Sequence, residues 1–127
     1  MATGLAAAEA NSLLDTMLDT DYTFIQLHTA DPGAAGTANV AGNATRKDIS
    51  ASWAAASGGS KSTDVDISWT DGEVDTTETY SHFSLWTLGT GGTFGLSGTV
   101  SAAEVDATGE TFTIPAGSGT VSFGIAS

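Results

Sequence analysis

Short stretches in which apolar and polar residues alternate recur along most of this chain, and glycine-rich turns separate them. The alternating stretches lie at 65–69, 80–88 and 121–125, and the turns lie at 58–60, 89–92 and 117–119. A period of two is typical of strands that bury one face. Six or so short strands joined by tight turns predict a mostly β fold, either an antiparallel β-sandwich or a jelly-roll-like domain.

The N-terminal segment has a different pattern and predicts one amphipathic helix over residues 3–19. Its alanines and Glu9 are strong helix formers, and Thr3 is a candidate N-cap. One apolar stripe is formed by Ala10, Leu13, Leu14, Met17 and Leu18. We therefore expect this helix to pack on a sheet.

Strand formers are concentrated in Tyr22–Thr29, which predicts the first strand. The following residues, 30–45, are mostly Gly, Ala, Asn and Thr without periodicity, and they predict a long loop. Loops of this length are uncommon in compact domains and are usually functional or mobile. A further short strand is predicted over 49–55. At 127 residues, the whole chain (1–127) is expected to form a single domain, with the β-sandwich over 22–127.

Charge and hydropathy argue against two classes of partner. The chain has 15 acidic and 3 basic side chains and a formal net charge of -12. Nucleic-acid affinity depends on Lys and Arg that release counterions, so we expect no nucleic-acid partner. We also expect no membrane partner, since no stretch approaches the roughly 18 apolar residues that span a bilayer. The start of the chain lacks the pattern of a signal peptide.

Few residues are candidates for catalysis or cofactor binding. The chain has two histidines, His28 and His82, and no cysteine. Residues 95–98 are one residue short of the Gly-x-Ser-x-Gly nucleophile elbow. We interpret both histidines as packed or strand-end residues, and we predict no catalytic residue, no cofactor and no enzymatic activity.

Carboxylates alternate over 71–75, as they do at the start of a calcium loop. An EF-hand loop would need Gly at the sixth position and Glu at the twelfth, where this chain has Thr76 and His82. A solvated acidic turn is the favoured interpretation, with a weak surface metal site as the alternative. Among the tryptophans, Trp69 and Trp86 fit a core or a subunit interface, and Trp53 is expected to be the most exposed and a candidate for stacking on a sugar.

Several blocks together resemble a family of small tailed-phage virion structural proteins. They are residues 6–15, Leu27-His28-Thr29-Ala30-Asp31-Pro32-Gly33, 58–61, Tyr80-Ser81-His82-Phe83-Ser84-Leu85-Trp86, 91–94 and 112–117. Their order and spacing cover almost the whole chain. Similar proteins are often labelled tail fibre proteins, and others look like minor capsid or head-decoration proteins.

The resemblance implies a non-enzymatic virion protein made in the bacterial host cytoplasm. We expect a capsid decoration or minor capsid protein that binds and stabilises the outer surface of the head. The expected partners are the major capsid protein and copies of the same chain in a homotrimer. The alternative is a tail-fibre or tail-tip adhesin that binds host surface glycan. The predicted partner-contact residues are Asp31, Pro32, Val40, Arg46, Lys47 and Trp53.

Overall fold

The computed structural model describes residues 4–42, 45–70, 73–74, 76–105 and 110–122, with backbone alone for 101–105. It begins with helix α1 (Ala7–Thr16), which continues as a π-helical turn (Met17–Asp21). The strands are β1 (Phe24–His28), β2 (Lys47–Asp48), β3 (Ser60–Ser62), β4 (Ile67–Trp69), β5 (Glu78–Trp86), β6 (Phe94–Val105), β7 (Phe112–Ile114) and β8 (Thr120–Ser122). The predicted fold class is confirmed: the protein is mostly β, its sheets are antiparallel, and one helix precedes them.

The larger sheet has the order β2-β1-β5-β6. β5 and β6 form a hairpin at the predicted glycine turn, and Thr87 N donates to Thr93 O at its base, 3.1 Å away. The register places Ile25 beside Leu85 and Leu85 beside Leu96, so one row of apolar side chains crosses three strands. This row gives the sheet an apolar inner face.

The second layer is a ribbon made of two chain segments, 60–69 and 112–122. β3 pairs with β8, and β4 pairs with β7. Between the two pairs the ribbon is irregular, and there Gly117 N donates to Thr63 O at 2.7 Å. Val65 lies in this irregular part and is 45% exposed. The alternation predicted for 65–69 is therefore right for Ile67 and Trp69 and wrong for Val65.

The core lies between the sheet and the ribbon. Leu27 and Leu85 of the sheet belong to the same buried cluster as Trp69 of the ribbon. Phe112 of β7 contacts Trp69 and meets Tyr80 of β5 edge to face, with ring centroids 5.1 Å apart. Shared burial of the two inner faces gives the sandwich-like layering.

Helix α1 is shorter at its start than predicted. Ala6 occupies the N-cap without a side-chain hydrogen bond, and Thr3 lies outside the described residues. The buried positions Ala10, Leu14 and Leu18 are four residues apart, while Leu13 is 40% exposed. The predicted stripe was too wide because a residue next to a buried position is turned by about 100° on a helix of 3.6 residues per turn.

Residues 30–42 and 45 form an irregular loop between β1 and β2, as predicted. Backbone hydrogen bonds tie this loop to the end of β1, from Thr29 N to Asn39 O (2.9 Å) and from Ala41 N to Leu27 O (3.1 Å). The strand predicted over 49–55 is absent, because the backbone there forms only one isolated bridge, between Trp53 and Thr63. None of the helices in the described ranges has the length and hydropathy needed to cross a membrane.

Candidate functional site

A buried polar network joins the long loop to the outer face of the sheet. His28 Nδ1 lies 2.8 Å from Ala38 O, and His28 Nε2 lies 2.7 Å from Ser84 Oγ. A carbonyl oxygen only accepts, so Nδ1 carries the proton and Nε2 accepts from the Ser84 hydroxyl. Trp86 Nε1 donates to the same Ser84 oxygen at 2.7 Å. Every polar atom of these three side chains thus has a partner.

Burial determines the chemistry of this network. His28 and Ser84 are fully buried. Burial lowers the pKa of His28 below its usual 6.5, and the nearby His82 and Arg46 act in the same direction, against the opposing bond to Ala38. A neutral imidazole beside a hydroxyl resembles a nucleophile pair, but no substrate reaches an enclosed oxygen. The arrangement is suited to holding the loop on the sheet.

His82 pairs with His28 in the register of β1 and β5, but its environment is different. His82 is half-buried. Ser81 Oγ donates to Thr29 O at 2.9 Å, so it accepts from His82 Nδ1 at 2.8 Å. His82 therefore also fastens the end of β1, on the side where the loop begins.

The loop itself begins with an Asx turn. Gly33 N donates to Asp31 Oδ1 at 2.8 Å, and Asn39 Nδ2 donates to Asp31 O at 2.9 Å. Pro32 is buried under this turn, whereas Asp31 and Val40 are exposed. Of the predicted contact residues in the loop, Asp31 and Val40 thus lie at the surface and Pro32 does not.

Arg46 closes the far end of the loop. Its guanidinium lies 4.1 Å from the centroid of the Trp86 ring. Nη1 donates to Leu88 O (2.8 Å) and Gly91 O (2.7 Å), and Nε donates to Gln26 Oε1 (3.2 Å). Planar stacking with several directed donors is a geometry that a guanidinium satisfies and an ammonium does not. Arg46 therefore fixes the β5–β6 turn.

Lys47, the next predicted contact residue, also has an internal partner. Its ammonium forms a salt bridge with Glu73, and both side chains are part-exposed. Hydrogen bonds from Lys47 and Thr70 hold the pKa of Glu73 at about 2. Glu73 belongs to the acidic segment 71–75, whose other carboxylates lie outside the described residues.

Trp53 lies apart from the loop, on the opposite face of the sheet. Its ring is half-buried against the core, and Nε1 is buried without a hydrogen-bond partner among the described residues. It lines a cleft of about 680 Å³ between the sheet and the ribbon, together with Phe83 and Leu96. The structure thus places Asp31, Pro32 and Val40 in the loop and Arg46 against Trp86 on the outer face of the sheet. Lys47 pairs with Ile25 on the inner face, and Trp53 lines the cleft.

Sequence reasoning missed Ser84 and Lys61. Ser84 occupies a polar position of an alternating strand, and alternation does not predict a hydrogen-bond partner for it. That partner, His28, is 56 residues away. Lys61 is 1% exposed and donates to Asp15 (2.6 Å) and Asp19 (3.1 Å) of the helical segment. The three basic residues in so acidic a chain are a signal that points to such internal pairing.

The protein is a mostly β domain in which internal polar contacts hold a long loop on the sheet. Residues 4–122 match the model of a protein family described as podophage GP4 fiber I protein gp80. The match spans nearly the whole chain, which therefore belongs to this family of phage structural proteins labelled fibre. No curated protein shows a significant match to the chain.

Proposed function

We propose that this chain is a non-enzymatic structural subunit of a phage fibre. The family match over residues 4–122 supports this proposal, because the family is described as a fibre protein of a podophage. The buried network is consistent with a structural role: His28 and Ser84 face each other inside the protein and have no solvent access. The residues that would supply chemistry instead hold a loop in place.

Capsid decoration is the second candidate function. Some of the proteins that the chain resembles look like minor capsid or head-decoration proteins, which supports a module that docks on a larger shell. In this case the partner would be the major capsid protein on the outer surface of the head. Copies of the same chain are a proposed partner in both functions.

We place the contact with the rest of the particle on the exposed part of the loop. Asp31 and Val40 project from a segment whose backbone is fixed by hydrogen bonds at Leu27 and Thr29. A preformed loop loses little conformational entropy on binding, which favours docking. Val40 is 44% exposed, so its side chain is available for contact with a partner.

Cryo-electron microscopy of the intact particle tests the location. Density for this chain in a tail-attached fibre supports the fibre proposal, and density only at the icosahedral axes of the head overturns it in favour of decoration. Absence of the chain from purified particles contradicts both functions. An adhesin role predicts that the purified protein binds host cells or their glycans.

A matched pair of variants tests the loop contact. Val40→Asp should reduce incorporation into particles severalfold, because it places a charge in the contact. Val65→Asp is the control, since Val65 is 45% exposed but lies in the ribbon. Equal incorporation of both variants, at equal protein stability, would show that the loop is not the contact.

A further inference from the structure

The outer edge of β6 is the longest strand edge of the described fold. β6 runs from Phe94 to Val105, and it is the last strand of the four-stranded sheet. In the described part of the chain no strand pairs with its outer side. The other edge strand, β2, has two residues, Lys47 and Asp48. The two edges therefore differ in length and in charge.

The edge of β6 lacks the usual protection against pairing. Natural edge strands are blunted by lysine, proline, inward charges or very short length. Residues 94–103 contain no charged residue and no proline, in a chain that has 15 acidic side chains. Such an edge is a template for another strand, so a specific partner strand is the natural way to cover it.

The sandwich is open along the same side. The cleft between the sheet and the ribbon is lined by Leu96 and Val100 of β6 and by Ile114 and Val121 of the ribbon. Leu96, Val100 and Val121 are partly buried and pack against the core. A strand added alongside β6 would cover these apolar groups as well as the unpaired backbone.

We propose that β6 pairs antiparallel with β6 of a second copy of this chain, around a twofold axis at Gly98. Two chains with a net charge of -12 repel each other least where neither carries charge, and this strip is uncharged over ten residues (94–103). Pairing of β6 with β2 of a second copy is less favourable, because β2 has only two residues, both charged, and would leave most of the β6 edge unpaired. The proposal concerns self-association and does not depend on the location in the particle.

The side chains fit this register. An axis at Gly98 places Ser97 opposite Thr99 of the second copy and Leu96 opposite Val100. Ser97 and Thr99 are exposed. Hydrogen bonds between Ser and Thr hydroxyls also join paired strands in the ribbon, at Ser62–Thr120 (2.9 Å) and Ser68–Thr113 (2.9 Å). Hydroxyl pairs of this kind stabilise neighbouring strands.

Sedimentation of the full chain over a concentration series tests the proposal. We expect the mass of a dimer, and a dissociation constant raised at least about tenfold by Thr99→Glu, because the two new carboxylates then lie diagonally across the axis, about 7–8 Å apart. Ser12→Glu adds the same charge at an exposed position of α1 and should leave association unchanged. A monomer at all concentrations, a trimer, or equal effects of both variants would overturn the proposal.

Disulfide trapping provides a second measurement that does not depend on a destabilising change. The chain has no cysteine. Ser97→Cys protein mixed with Thr99→Cys protein should form a cross-linked dimer on mild oxidation, since facing residues in a sheet lie within disulfide reach. A mixture of Ser12→Cys and Thr99→Cys proteins is the control. Equal cross-linking in both mixtures would contradict the twofold register.

Discussion

At the scale of single residues, Lys61 joins the helical segment to the ribbon. Its ammonium donates to Asp15, Asp19 and Ala54 O, all within 3.1 Å. Burial alone would lower the pKa of Lys61, but the hydrogen bonds to the two carboxylates outweigh it and raise this pKa above 10.5. The hydrogen bond from Lys61 also holds the pKa of Asp15 below its usual value. The lysine therefore stays charged inside the protein.

Replacement of Lys61 by alanine should be strongly destabilising. The change removes a buried cation and leaves a cavity, but Asp15 and Asp19 keep part of their hydration. We expect the free energy of unfolding to fall by about 2–3 kcal/mol in urea titrations followed by tryptophan fluorescence. Lys47→Ala is the control, because its part-exposed pair with Glu73 should contribute less than about 1 kcal/mol. Equal losses would show that burial does not distinguish the two lysines.

His28 makes stability depend on pH. Its pKa is lowered in the folded protein, mainly by burial, so below pH 6.5 the unfolded chain binds more protons than the folded one. Stability should therefore decrease as the pH falls from 6.5 to 5.5, by up to about 1.4 kcal/mol from this residue. His28→Gln keeps a polar group and removes the titration, while His82 and Arg46 remain. A variant whose stability falls as steeply as that of the wild type over this window would contradict the assignment.

At the scale of elements, the loop depends on a close contact at Gly36. This glycine has a φ of +72°, and a Cβ atom there would lie 2.4 Å from the Phe94 ring. Gly36→Ala should cost about 2–4 kcal/mol and increase hydrogen exchange at Thr29 and Ala38. Gly58 has a φ of +59° but open space around it, so Gly58→Ala should cost about 1 kcal/mol. Similar effects of the two changes would mean that the Phe94 contact does not hold the loop.

The elements also show what the sequence predicts well. Alternation and the turn glycines predicted the β5–β6 hairpin, because these signals are local. The strand predicted around Trp53 is absent because that residue packs toward the core from an irregular segment. The roles of Arg46 and Ser84 depend on partners 42 and 56 residues away, and no local pattern encodes such pairs. The sequence alone therefore suggests that a long polar loop is mobile, because the distant residues that hold it in place cannot be identified from its composition.

At the scale of the whole molecule, acidic side chains greatly outnumber basic ones, 15 to 3. The only basic side chains, Arg46, Lys47 and Lys61, all have internal partners, so the surface field is that of a chain with a net charge of -12. Self-repulsion destabilises a compact state and is screened by salt, with a Debye length of about 8 Å at 0.15 M. The protein should therefore be more stable, and should self-associate more readily, at physiological ionic strength than in dilute buffer.

Calorimetry at two salt concentrations measures this effect. Raising NaCl from about 20 to 150 mM should increase the Tm by roughly 3 °C or more, in line with a gain near 1 kcal/mol. The control is a triple variant at exposed positions, Asp21→Asn, Asp64→Asn and Glu110→Gln, which brings the formal net charge from -12 to -9. It should melt higher in dilute buffer and respond less to salt. If salt leaves the Tm of both proteins unchanged, the surplus charge is too dispersed to oppose folding. A protein of this kind would then depend on its partner contacts, rather than on ionic strength, to reach full stability in the particle.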